Sequence, residues 1–242
     1  MKFIEKNLAT NNLAIEAQSL LDISRHYNEN DRVREIIRII YSGCCAFCEC
    51  SPEDGSFFQI EHFYPKSHRW FRRFKMRIEN LHYSCQRCNS LKRSHVHQNI
   101  LSPNYFLDNH LVWHISSTNK IENELFYFGH LLFSHNQVAH SIDRGEATLN
   151  LFDLNNFNGS VRSERRFLVE SRLRVFATVQ GIVSAIFELV SNYTPINNKA
   201  IEILFSLAIK HTNNNTHYST MTIHNFGADI YKLLSIYLHI RR

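Results

Sequence analysis

Side chains able to do chemistry concentrate in one stretch, from Cys45 to Lys92. It opens with Cys45-Ala-Phe-Cys48 and passes through Ile60-Glu61-His62-Phe63-Tyr64-Pro65-Lys66 and Glu79-Asn80-Leu81. It closes with Cys85-Gln-Arg-Cys88-Asn89-Ser-Leu-Lys92. A lone Cys-x-x-Cys is equally a redox pair. Two of them, with 36 residues between, make one four-thiolate site, because a two-residue gap lets both sulfurs of a knuckle reach a metal at about 2.3 Å. Four thiolates select Zn²⁺ and close its coordination sphere, so the site is structural. The rival is two disulfides in a secreted chain, but all six cysteines lie between Cys44 and Cys88, which points to metal in a reducing compartment. Cys44 and Cys50 are left over as free thiols, with Cys44/Cys48 and Cys45/Cys50 as alternative ligand choices.

The loop between the knuckles carries a second set. Glu61 beside His62, Asn80 about twenty residues on and Asn89 directly after the last cysteine can converge on one divalent metal. Oxygen donors such as Glu61 and Asn89 suit a hard cation, Mg²⁺ or Mn²⁺. An imidazole with an ordinary pKa near 6.5 suits a general base at neutral pH.

These residues resemble the HNH endonucleases of the ββα-metal type, in which zinc knuckles bracket the active site. The run Ile60–Lys66, with Glu79-Asn80-Leu81 and Ser84–Lys92, is similar in particular to the PtuB-like nucleases of Septu and retron anti-phage systems. The motif covers about a fifth of the chain, and Arg144–Asn155 with Arg162–Arg166 extends the likeness with less specificity. Position 61 is Glu where many members have Asp, and position 89 is Asn where many have His.

The resemblance implies metal-assisted phosphodiester hydrolysis, with DNA as the expected substrate. His62 is then the general base, Glu61 and Asn89 hold the catalytic metal, and Asn80 ties the loop that orients His62. Lys92 and Arg93 steady phosphate or the departing group. It also implies a PtuA-like ATPase partner, and in the retron branch a reverse transcriptase with its RNA and DNA. The implied fold is α+β and mostly helical, a treble-clef-like ββα-metal core flanked by helices. The expected divisions are N-terminal helices over 1–43, the nuclease core with its zinc over 44–100, a mixed β/loop segment over 101–159 and a helical region over 160–242.

The elements that must position these residues are partly legible. Leu13, Ala14, Ala17, Leu20 and Leu21, then Val33, Ile36, Ile37 and Ile40, recur at helical spacing, with a break and N-cap near Asn28–Asp31. These helices form a scaffold with no chemistry of their own, and Gly43 suits the C-terminal cap. Phe57–Ile60 has the make-up of a strand with His62 at its end. A helix from about Ser84 carries Asn89 and Lys92 on successive turns.

Between strand and helix, Lys66, Arg69, Arg72, Arg73, Lys75 and Arg77 interleave with Trp70, Phe71 and Phe74. That is the composition of a surface that neutralises phosphates and stacks on bases. Asn104–Asn109 and Leu125–Phe133 suggest a hairpin with a turn near Gly129. His130, His135 and His140 recur at intervals that suit no metal loop and are structural. Val161–Val190 reads as one long helix or two packed ones, Pro195 separates it from Ile196–Ile209, and Ala228–Ile240 closes the chain.

The 242 residues suffice for a sizeable core. A net charge of +5 fits a polyanion partner. The apolar run Val175–Val190 is interrupted by Gln180, Ser184 and Glu188, so no stretch reads as a membrane span. The amino terminus lacks the apolar core of a signal peptide, and the expected location is the cytoplasm. No Gly-rich phosphate loop is present, so ATP dependence must come from a partner. Two other classes fit the same residues: a zinc-dependent nucleic-acid-binding module, and an interaction subunit whose helical half matters most.

Overall fold

The computed structural model describes residues 6, 8–51, 57–93, 100–103, 125–134, 144–155, 164–213 and 216–241. Helix α1 (Asn12–Ile23) starts at Asn11, whose side chain accepts the Ala14 N–H, and α2 (Asp31–Ile40) at Asn30, which accepts from Arg32 and Val33. Each asparagine satisfies N–H groups that a helix start leaves without partners. The stripes Ala14, Ala17, Leu21 and Val33, Ile36, Ile37 are buried. After α2, Ser42 N–H donates to the Ile39 carbonyl and Gly43 N–H to the Arg38 carbonyl, the paired bonds of a Schellman ending. Glycine alone was expected to cap. Ser42 also takes the left-handed backbone, at φ 53° against 71° for Gly43.

This ending delivers the chain to the first knuckle. Strand β1 (Phe58–His62) then pairs antiparallel with β2 (Leu81–Cys85), Phe58 opposite Cys85 and His62 opposite Leu81. β2 runs directly into α3 (Gln86–Lys92), where Cys85 Sγ accepts the Cys88 N–H as the cap. The connection between the strands contains a 3₁₀ turn, Arg69–Phe74, that buries Phe71 and Phe74.

A second antiparallel pair, β3 (Leu125–Phe128) and β4 (Leu131–Ser134), turns at Gly129 with φ 60°, as expected. The Asn104–Asn109 part of that expectation, with His135 and His140, lies outside the described residues. The 101–159 segment is not only strand and loop. It contains α4 (Arg144–Phe152), whose last residue is fully buried and stacks on Phe47 at a ring separation of 4.6 Å. The Asn/Asp-rich end of this segment masks the helix in sequence, whereas packing of Phe152 selects it.

Three helices complete the chain: α5 (Glu164–Ser191), a single helix, α6 (Asn198–Thr212) and α7 (Ser219–Ile240). α7 begins well before the expected Ala228, because Met221 and Phe226 are also buried. The three share a core of their own, including Val179, Ile186, Ile201, Phe205, Phe226 and Ile230. The larger core unites α1, α2, both knuckles, β1, β2 and α4, and Val175 and Phe176 touch both. One helix, over Arg165–Ser191, is long and apolar enough to cross a membrane by length and composition, with mean hydropathy 1.6. The sequence reading expected no such stretch, because it required an uninterrupted run. In the fold, Val179, Ile186 and Val190 of this helix face its two bundle partners. The architecture is mostly helical, with two small antiparallel pairs and a buried four-cysteine cluster.

Candidate zinc site and adjoining cavity

The knuckles meet as their spacing requires. Cys45, Cys48, Cys85 and Cys88 are buried, with all four sulfurs within 4.8 Å of one another. Cys48 Sγ and Cys85 Sγ are 3.8 Å apart, close to the edge of a tetrahedron with arms of about 2.3 Å. Backbone N–H groups of Cys85 and Cys88 donate to Cys45 Sγ and Cys85 Sγ, each at 3.4 Å. Such bonds favour thiolate over thiol. All six cysteines are free of disulfides, and Cys44 and Cys50 stand outside the set of four. The donor set therefore fits a structural Zn²⁺.

Two charged residues to which the sequence assigned no role at the zinc lie at this site. Arg165, at the start of α5, is 2% exposed and donates from Nη2 to Cys88 Sγ at 3.2 Å. Burial alone would lower its pKa, but the Cys88 and Cys48 sulfurs outweigh that and raise it. Glu49, directly after Cys48 and fully buried, accepts the Thr220 N–H at the start of α7. A carboxylate there complements the helix dipole.

Strand β1 lines a cavity of about 560 Å³. Glu61, His62 and Asn89 all line it, joined by Lys66 and Arg93. Sequence reasoning assigned no chemistry to the N-terminal helices, yet Tyr27, Asn28 and Arg34 form part of its wall. Nothing in their spacing signals this, because the α1–α2 turn reaches the cavity through tertiary packing.

His62 is 4% exposed, and its Nε2 lies 3.0 Å from the Lys75 carbonyl. A carbonyl only accepts, so Nε2 carries the hydrogen and Nδ1 keeps the lone pair. Burial lowers the imidazole pKa to about 4; the bond to Lys75 opposes this, and the Lys66, Lys92 and Lys75 charges reinforce it. The ring is thus neutral at pH 7. Asn80 is fully buried. It accepts the Tyr64 N–H at 2.7 Å and donates to the Tyr64 and Phe74 carbonyls at 3.2 and 3.1 Å, tying the two ends of the loop that follows His62.

Lys92 differs from its expected role. It is fully buried, with Nζ donating to Glu61 Oε1 at 2.9 Å and to the His62 carbonyl at 2.7 Å. An ammonium committed to those oxygens ties α3 to the end of β1. Burial raises the Glu61 pKa against the pull of Lys92, and burial lowers the Lys92 pKa against Glu61. Their attraction offsets only part of the desolvation. Asn89 gives its Nδ2 to Gln59 Oε1, which leaves its amide oxygen as the atom for a cation.

The basic stretch divides. Lys66, Arg69, Arg72 and Arg73 are exposed, with Arg69 over the Trp70 ring at 4.9 Å and Arg73 over Phe74 at 4.7 Å. Arg77, also exposed, pairs with Glu79 at 2.9 Å, and Lys75 is half-buried. His82, opposite Glu61 in the strand pair, is a buried histidine held by the Tyr41 hydroxyl at 2.5 Å. In comparisons with known proteins, no family model matches the chain, and no curated protein matches it.

Proposed function

We propose that the protein is a metal-dependent endonuclease of the HNH, ββα-metal type, hydrolysing nucleic-acid phosphodiesters with DNA as the first substrate. One observation carries the reading. Glu61 and His62 at the end of β1, and Asn89 on the helix that follows β2, line one cavity, with the four cysteines pinning the two halves of that hairpin–helix unit. The unit has the order strand, strand, short helix that the treble-clef-like ββα-metal fold requires.

Glu61 and the Asn89 oxygen would hold a Mg²⁺ or Mn²⁺, which supplies positive charge at the leaving oxygen when bound. His62 Nδ1 takes a proton from water; its depressed pKa keeps the ring in the basic form at pH 7 and makes it a weaker base than the ordinary imidazole expected from sequence. The Lys75 carbonyl and Asn80 fix the ring and the following loop. Arg34, Lys66 and Arg93 set three cations around the cavity for the diester backbone, and Arg69, Trp70, Arg72 and Arg73 extend that surface.

A binding module without cleavage is the second reading. It is favoured by the Lys92 ammonium on Glu61 Oε1, which already neutralises the carboxylate meant for the metal. The two separate on a panel of plasmid, single-stranded DNA and RNA incubated with Mg²⁺, Mn²⁺ or EDTA. Metal-dependent nicking supports the nuclease, and metal-independent binding with no cleavage under any condition supports the module.

We also infer a PtuA-like ATPase partner that restrains the site, on the strength of the family resemblance. Phe187 on α5 and Tyr231 on α7, 61% and 74% exposed, are candidate contacts on the bundle. Co-purification with a neighbouring ATPase tests it, and a chain cut after Gly159 that folds and still binds would remove the bundle from the interface.

A further inference from the structure

The turn between α1 and α2 reaches the nuclease-like cavity through one side chain. Tyr27 lies edge-on to the His62 ring, with centroids 4.4 Å apart and planes at 90°. Its hydroxyl accepts a hydrogen bond from Lys66 Nζ at 2.9 Å, and the same ammonium lies 4.9 Å from the ring centre. Tyr27, His62 and Lys66 all line the cavity. We propose that Tyr27 is a positioning residue that holds the His62 ring and the Lys66 ammonium in register, so that the N-terminal helices are a working part of the site. This rests on the nuclease reading above for its consequence, not for its geometry.

The physical argument concerns the freedom of the imidazole. One hydrogen bond, Nε2–H to the Lys75 carbonyl, leaves the ring able to rock about that bond. A ring packed at right angles against it restricts that motion, as T-shaped pairs do. Lys66 follows Pro65 in the loop after β1, and its long stem would otherwise sample many rotamers. The Tyr27 hydroxyl and ring face select one of them. Tyr27 therefore acts twice: through its ring on the proposed base, and through its hydroxyl on a cation beside the diester. The two roles are separable, because Phe keeps the ring and loses the hydroxyl.

The test compares Tyr27→Phe and Tyr27→Leu with the wild-type chain. Steady-state cleavage should show KM raised several-fold in Y27F with kcat retained, since only the cation is released. In Y27L kcat should fall on the order of 100-fold, the effect of a base misplaced by about 1 Å. A second readout needs no substrate: the His62 Nε2–H proton, observed by NMR, should exchange slowly in the wild type and in Y27F and rapidly in Y27L. If Y27L does not fold, the wild type itself decides through a nuclear Overhauser contact between the Tyr27 and His62 rings. An absent contact, or protection and kcat unchanged in Y27L, overturns the proposal. Should the wild type cleave nothing, the nuclease reading fails alone, and the exchange and ring-contact measurements still decide whether Tyr27 holds His62.

Discussion

Replacing Arg165 by Met should weaken zinc binding without weakening the zinc-free fold. Four thiolates around a dication leave two net negative charges in a buried site, and Arg165 Nη2, 3.2 Å from Cys88 Sγ, is a cation placed to offset them. Partners of metal ligands typically contribute 10- to 100-fold in affinity, or about 1.4–2.8 kcal/mol. The zinc-free chain responds differently. A buried guanidinium costs desolvation, and an apolar side chain of similar length removes that cost, so its melting temperature should hold or rise. Competition against a chelator of known affinity measures the first quantity, and thermal melts with and without zinc measure the second. Arg165→Lys keeps the charge and should fall between. A Met variant with zinc affinity within about twofold of the wild type would refute the electrostatic role of Arg165.

Cys88→Ser should unfold the knuckles, since structural zinc contributes on the order of 10 kcal/mol of apparent binding energy to folding. Far-UV circular dichroism should retain a helical remainder, because α5–α7 have their own core. A stoichiometrically zinc-free chain with wild-type melting would count against the site. Asn80→Ala removes three buried hydrogen bonds, from the Tyr64 N–H and to the Tyr64 and Phe74 carbonyls, and should cost about 3 kcal/mol by chemical denaturation. A loss under 1 kcal/mol would mean the loop is tied elsewhere. His62 has a folded pKa of about 4 against about 6.5 unfolded, so the unfolded chain binds its proton more readily. Its contribution is therefore complete above about pH 6.5 and lost as pH falls toward 4, roughly 3 kcal/mol in all. Stability measured from pH 7 to 4 should fall less steeply in His62→Gln, and identical slopes would contradict the burial argument.

What sequence could show follows from how local each feature is. Cysteine spacing states its geometry outright, and the Asn30 cap and the stripe Val33, Ile36, Ile37 declare α2 within a few residues. The hairpin at Gly129 is equally local. A lysine near a phosphodiester motif looks like a phosphate contact, whereas the burial of Lys92 depends on Glu61 and His62, 31 and 30 residues away. Tyr27, Arg34 and Glu49 carry no signal for the same reason, and Arg165, inside the run Arg162–Arg166 that extends the likeness, carries none for a role at the zinc. Their partners lie far along the chain, and no short pattern encodes a turn that reaches a cavity or a helix start that meets a thiolate. α4 is short and runs into the Asn/Asp-rich stretch after Phe152, which favours loops, and the packing of Phe152 on Phe47 selects the helix.

The central claim is that Glu61, His62 and Asn89 form one metal-dependent hydrolytic site distinct from the structural zinc. It is tested most directly by plasmid nicking in Mg²⁺ by the wild-type chain and His62→Ala, at matched zinc content and equal melting temperature. The account predicts cleavage by the wild type that is lost when Mg²⁺ is left out, and loss of at least about 100-fold in His62→Ala, the lower end of the range for a general base. Full activity in His62→Ala would contradict it.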